Sequence, residues 1–237
     1  MNTPIVIREI KGHAELREIE QLQREIWGVE ELEVYPALAL KPQQEVGAIL
    51  IGAFAEGRMV GFVFGFPGIL DGETIIHSDM LGVLPAYRSQ NLGYRLKLAQ
   101  REKAIALGVK RITWTFDPLQ SRNAHLNFNK LGVIADRYFV DYYGTTSSFL
   151  HQHGTDRLWV TWWLQSERVT SRLRHDAHPD SIRDGDIVIE IPTEITSDHH
   201  SWRVKTREAF TSALEAGYVV EEFYVSASLG KYVLRHG

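Results

Sequence analysis

The sequence predicts an α/β fold in which consecutive strands are antiparallel, and three observations carry that expectation. First, the apolar runs Ala48–Ala55, Met59–Phe66 and Thr74–Val83 are separated by Glu56-Gly57-Arg58 and Leu70-Asp71-Gly72-Glu73. Short turns of this composition join antiparallel neighbours. Second, His13–Trp27 carries Leu16, Ile19, Leu22, Gln23 and Ile26 at helical spacing, with Gly28 to stop it. Third, the polar turn Leu84–Gly93 lies where the strand ending at Val83 hands over to a helix running to Leu107 and stopped by Gly108.

The other elements follow in order. Ile5–Ile10 reads as the first strand. Glu30, Glu31 and Glu33 read as a solvated acidic face. The helix after the turn has Leu92, Leu96 and Ala99 on one face. Arg111–Phe116 alternates Ile112, Trp114 and Phe116 with polar residues, as a strand does, and Asp117-Pro118 ends it. A helix is expected over Ser121–Leu131 and strands over Val133–Val140 and Leu158–Leu164. Ser166–Gly185 is poor in apolar residues and reads as a linker. Beyond it come a strand at Ile187–Ile191, a helix capped by Asp198 and running to Ala216, and a hairpin of Tyr218–Ser226 with Lys231–Leu234. Trp202, Ala209, Phe210, Ala213 and Leu214 fall on one face of that helix. Strand, helix, Ala-Gly-Tyr, strand echoes the earlier strand, helix, Leu-Gly-Val, strand. A partial repeat and an unrelated appendage that covers a sheet edge both account for it.

Composition narrows the functional classes. The chain has 237 residues, 44% of them hydrophobic and 24% charged, which supplies a full core. The net charge of −4 gives no support for nucleic-acid binding. With no cysteine, thiolate metal sites, disulfides and cysteine nucleophiles are excluded. His151 and His153 have no third ligand near them in sequence, so no metal is expected. No apolar run approaches the roughly 18 residues of a membrane span, and no signal-peptide pattern opens the chain, so the cytoplasm is the expected location.

The turn carries the chemistry. The first N–H groups of a helix lack internal partners, and the helix dipole adds positive potential, so this turn can cradle a phosphate. Gly93 lets an anion approach the backbone, Asn91 tolerates a left-handed conformation, and Arg88 adds a cation. The turn is neither a Walker loop nor a Rossmann fingerprint, since Gly-Lys-Ser/Thr and the three glycines are absent.

Val83 to Leu96, Val-Leu-Pro-Ala-Tyr-Arg-Ser-Gln-Asn-Leu-Gly-Tyr-Arg-Leu, resembles the cofactor motif of the GNAT superfamily of acyl-CoA-dependent N-acyltransferases. Arg88, Gln90, Leu92, Gly93 and Leu96 match it, while Ser89 and Asn91 stand where glycine is usual. Asn123-Ala124 through Phe128-Asn129-Lys130-Leu131-Gly132 resembles the later helix of that family. The wording from Asp117 to Asn123 is similar to a subgroup of predicted acetyltransferases, and the likeness spans about residues 5–165. The resemblance implies a GNAT-like mixed, mostly antiparallel twisted sheet flanked by helices, followed by a C-terminal strand-helix-hairpin extension. The implied division is a GNAT-like domain 1–165, a linker 166–185 and an extension 186–237 packed on the first domain.

The resemblance also implies roles. Acetyl-CoA or another acyl-CoA is the co-substrate. Its pyrophosphate would sit on Arg88, Ser89, Gln90, Asn91, Leu92 and Gly93, its pantetheine along Met80, Leu81, Gly82 and Val83, with Asn123 and Phe128 contributing from the second motif. A backbone N–H near Leu81 or Gly82 would polarise the thioester. Strand alternation puts His77 and Asp79 on the face of Leu81, so either is the candidate base. Phe128 occupies the usual position of the proton-donating tyrosine; Tyr138, Tyr142 and Tyr143 are the candidate substitutes. Arg203 and Arg207 belong to a basic face near the start of the last helix, read either as solvated or as a grip for an acceptor carboxylate. The expected partner is a small-molecule amine, the sharper expectation being one that bears a carboxylate, with no nucleic acid, no membrane and the oligomeric state open. The runner-up is a non-catalytic module that binds acyl-CoA or CoA.

Overall fold

A computed structural model describes residues 4–174, 181–194, 198–226 and 228–236, with the side chains of Ser89 and Leu150 outside the description. The chain forms two compact units, Met1–Ile112 with Thr146–Gln152, and Thr113–Thr145 with His153–Gly237. Each packs helices against strands of an open, mostly antiparallel sheet, as the sequence predicts.

In the first unit four strands lie in the order β1 (Ile5–Glu9), β2 (Ile49–Ala55), β3 (Arg58–Leu70) and β4 (Glu73–Val83). Both tight turns adopt positive φ at two successive residues, 50° and 82° at Glu56-Gly57 and 54° and 76° at Asp71-Gly72. This is the twist a two-residue hairpin needs. β3 runs past the apolar Met59–Phe66 stretch to Leu70, because its pairing with β4 continues through Pro67↔Ile76 to Leu70↔Glu73. α1 (Gly12–Trp27) buries Leu16, Ile19, Leu22 and Ile26, and α2 (Ala37–Glu45) buries Ala37 and Leu40. These side chains share one core with Leu50, Phe54, Phe62, Phe64 and Met80, each aliphatic contributing about 2 kcal/mol on burial. Gln23, at an apolar spacing, is buried because it exchanges two hydrogen bonds with the Tyr35 backbone, at 2.8 and 3.0 Å. The other face of the sheet carries α3 (Leu92–Ala106).

The pairing of β3 with β4 is interrupted once. Phe64 lies opposite Met80 and Phe66 opposite His77. Ser78 and Asp79 therefore oppose the single residue Gly65, a β-bulge.

The second unit has the strand order β5 (Arg111–Phe116), β7 (Arg157–Trp163), β6 (Ile134–Phe139), β9 (Tyr218–Ser226), β10 (Leu229–His236) and β8 (Ile187–Pro192). The helix between β5 and β6 begins as one α turn, α4 (Ser121–Ala124), and continues as a π-helix over His125–Leu131. Ser166–Leu173, read from composition as linker, is ordered: Ser166 caps α5 (Glu167–Leu173) by accepting the Val169 N–H, and Arg172 holds the buried Glu222 at 2.6 Å. Residues 175–180 of the expected linker lie outside the described residues. α6 (His199–Glu215) covers this sheet with Phe210 and Ala213. Its inner face also holds His199, Arg203 and Thr206, while Trp202 is partly exposed. Asp198 stands at the cap position without a side-chain capping bond.

The C-terminal elements repeat the earlier ones. β5, helix, β6 and β7 lie in the order β5-β7-β6, and β8, α6, β9 and β10 lie in the mirrored order β9-β10-β8. β6 follows Gly132 and β9 follows Gly217, both with positive φ. The antiparallel joint between them pairs Ala135 with Val220, each three residues past its glycine. The next residue of each strand is bulged out: Asp136 is skipped between Ala135↔Val160 and Arg137↔Trp159, and Glu221 between Val220↔Leu234 and Glu222↔Val233. Topology, turn, bulge and joint coincide, so of the two readings the internal repeat is the one the register supports.

Candidate functional site

β4 does not keep a single alternation. The His77 ring packs on Phe66 at 5.5 Å, and Phe66 and Met80 lie on the α1–α2 core. Ser78 points to α3, where its hydroxyl meets Gln100. Leu81 also faces α3, since a Cβ built on Gly93 would lie 3.8 Å from its side chain. In an unbroken strand His77 and Leu81 would share a face; the bulge between them puts them on opposite faces, which corrects the sequence expectation.

Burial shifts the two candidate bases in opposite directions. Burial, and secondly the nearby Lys97, pushes His77 down to about 4. It is neutral at pH 7 and a weak base. Asp79 reaches solvent, yet the surrounding protein desolvates it enough to raise its carboxyl above the usual range. Beneath the bulge lies Lys97, 2% exposed, with burial driving its amine well below the ordinary ammonium range.

After Val83 the chain makes a 3₁₀ turn, Pro85–Gln90, and Asn91 takes the left-handed conformation (φ 54°) before α3. Arg88 is exposed and donates to the Val83 carbonyl at 3.1 Å. The Asn91 side chain does not cap α3. Nothing inside the unit requires glycine at 93, because an added Cβ would make only the ordinary contact with Leu81. An uncapped helix start, a left-handed Asn91 and an open Gly93 fit a pyrophosphate. The side chain of Ser89 lies outside the described residues. Met80 and Gly82 offer only backbone: Met80 is in the core, and a side chain at Gly82 would collide with Ile26 at 2.9 Å.

In the second unit Asn123 is exposed in α4. Phe128 is fully buried between Phe116 and Tyr232, at 6.3 and 5.7 Å. It packs the core and offers no surface to a ligand. Tyr138 stacks on Phe210 and donates its hydroxyl to Asp156 at 2.7 Å. Burial first, then that carboxylate, raises its phenol far above the usual range. Tyr142 and Tyr143 are exposed, pack edge to face at 4.8 Å, and Tyr143 lies over Arg157 at 4.9 Å.

Arg203 is buried and so is no part of an exposed basic face, while Arg207 is partly exposed. Arg203 is 3% exposed and grips Asp117 through two hydrogen bonds of 2.6 and 2.8 Å. Arg207 grips Asp156 through two of 2.9 Å. Each of the two guanidinium groups thus has a carboxylate of the chain as its partner. The sequence marks Asp117 only as a strand end and as part of the Asp117–Asn123 wording, not as a partner of Arg203, and nothing local marks Asp156. Lys97 did carry a signal: Gly93, Lys97, Gln100 and Ala104 form one helical stripe facing inward.

A family model described as the acetyltransferase (GNAT) family matches residues 14–132, about half the chain. This chain belongs to the GNAT acetyltransferase family. Among solved structures this GNAT protein is similar to the ribosomal-protein-S18-alanine N-acetyltransferase of Escherichia coli, with TM-score 0.54 and 15% identity over 69% of this chain and 96% of that one. It is similar to aminoglycoside 6'-acetyltransferase type Ii, with TM-score 0.54 and 19% identity over 68% and 99%. It is also similar to Arabidopsis thaliana NAA60 in complex with a bisubstrate analogue, with TM-score 0.54 and 16% identity over 68% and 98%. At these identities the likeness shows the GNAT fold. No curated protein matches the chain. Among the described residues no group of three or more His, Cys, Asp or Glu could hold a metal ion, and no helix is long and apolar enough to cross a membrane.

Proposed function

We propose that this GNAT protein transfers an acetyl or other short acyl group from acyl-CoA to the amine of a small molecule. The observation that carries this reading is Asp79, a carboxyl of raised proton affinity on the bulge of the strand that leads into the open start of α3. Acyl-CoA supplies an activated thioester. The N–H groups from Arg88 to Gly93 hold its pyrophosphate, and the backbone of Met80–Val83 orients its pantetheine. Asp79 takes the proton that the attacking amine loses: it reaches solvent, and burial raises its proton affinity, whereas burial lowers that of His77. A thiolate is a fair leaving group unassisted, since a thiol has a pKa near 8.5. On this reading residues 1–165 are the catalytic part and 186–237 the extension.

One observation favours a second reading, a non-catalytic acyl-CoA-binding module. Neither Phe128 nor the Asp156-bound Tyr138 can give up a proton to a thiolate.

The test is thiol release from acetyl-CoA with amino acids, polyamines, aminoglycosides and short peptides as acceptors, beside calorimetric titration with CoA. Release above the hydrolysis blank with a small amine is expected. CoA binding without turnover on any amine would establish the binding module, and turnover on peptides alone would overturn the small-molecule acceptor.

A further inference from the structure

Ser78, Lys97 and Gln100 form a closed triangle under the β4 bulge. Lys97 Nζ donates to Ser78 Oγ and to Gln100 Oε1, both at 3.0 Å, and Ser78 Oγ donates to Gln100 Oε1 at 2.9 Å. All three residues are buried. Gly65 makes room for them: a side chain there would meet Gln100 Nε2 at 2.8 Å and the His77 carbonyl at 3.0 Å. So the residue opposite the bulge, one of the two bulged residues and two residues of α3 meet at one point.

Burying an amine is costly, and an apolar side chain of similar length would stabilise a packed core better. A bulge, in turn, leaves backbone out of the strand ladder, so its conformation needs another anchor. We propose that Lys97, acting through Ser78 and Gln100, is a positioning residue that fixes the β4 bulge from its α3 side and so sets Asp79 and the adjoining β4 backbone for acyl transfer. Its catalytic consequence rests on the acetyltransfer reading above; its effect on the bulge does not. Lys97 touches no reacting atom. It fixes Ser78, and Ser78 fixes the backbone from which Asp79 projects.

Lys97→Met keeps length and removes the donors; Lys97→Gln keeps a neutral donor. With Lys97→Met, kcat for amine acetylation should fall at least tenfold, with the acetyl-CoA KM within twofold and no loss of resistance to urea. Amide hydrogen exchange at Asp79 and Met80 should quicken at least tenfold, with exchange elsewhere in β4 unchanged. Lys97→Gln should restore most of both. Should Lys97→Met not fold, Ser78→Ala removes the same anchor with a smaller change and should show the same pattern. Unchanged exchange at Asp79 and Met80 would overturn the proposal, as would faster exchange throughout β4 and α3 with lowered stability. If the native protein acetylates no amine, the exchange measurement still decides the matter, so failure of the acetyltransfer reading and failure of this one are distinguishable.

Discussion

Tyr138 donates its hydroxyl to Asp156 at 2.7 Å, and Arg207 grips the same carboxylate through two hydrogen bonds of 2.9 Å. Asp156 is 1% exposed, and it also accepts the Asp141 N–H at 3.1 Å. The phenol proton is therefore committed to satisfying a buried charge. Tyr138→Phe should cost about 1.5–3 kcal/mol of stability, the range for a hydrogen bond to a charged group. Turnover should stay within about threefold, since a committed proton is no general acid. Urea unfolding beside thiol release checks both. A loss of about a hundredfold in turnover with the fold intact would return Tyr138 to the chemistry.

Gly93→Val should weaken CoA binding well over tenfold while the protein stays folded. The first carbon of the new side chain meets only Leu81 inside the unit, at 3.8 Å. The branched side chain then stands where a pyrophosphate must approach the backbone. Calorimetry with CoA reads the effect, and native affinity in a folded Gly93→Val would remove the cofactor from this helix start.

His77 should make the protein sensitive to acid. Its folded pKa of about 4 lies below the ordinary 6.5. The stability it contributes is thus complete above about pH 6.5 and is lost as pH falls toward 4. The full loss is of order 3 kcal/mol, from 1.36 kcal/mol per unit. His77→Gln should remove that pH dependence, so the native urea midpoint should fall more steeply than the variant's between pH 7 and 4.5. Parallel curves over that range would show that His77 titrates normally.

Arg203→Ala should destabilise by about 3–5 kcal/mol, because it leaves the largely buried Asp117 without its guanidinium. Adding Asp117→Leu should recover most of the loss. The acceptor KM should not change in whatever fraction remains folded. A raised KM with undiminished stability would restore the role of Arg203 in gripping an acceptor carboxylate.

The elements of the first unit were legible because each has a local cause: turn residues at Glu56-Gly57 and Asp71-Gly72, a period of 3.6 in α1, and a glycine after it. The open start of α3 was legible for the same reason. The bulge was not, because Ser78-Asp79 carries no local mark and arises only when β3 is laid beside β4. That one displacement moves His77 and Leu81 to opposite faces. The inward turn of Arg203 was hidden likewise: a charged residue at an inner helical position reads as surface until Asp117 is found opposite it. Lys97 is the instructive case, since its spacing says core and its charge says surface, and the spacing prevailed.

The joint of β6 with β9 has a consequence for dilution. Two half-units that met there as separate molecules would part as the protein concentration fell. Here both belong to one polypeptide, so each strand sees its partner at an effective concentration of order millimolar, whatever the concentration of the chain. The Ala135–Val220 pairing should therefore survive at nanomolar protein, where a weak dimer built on the same strands would have come apart.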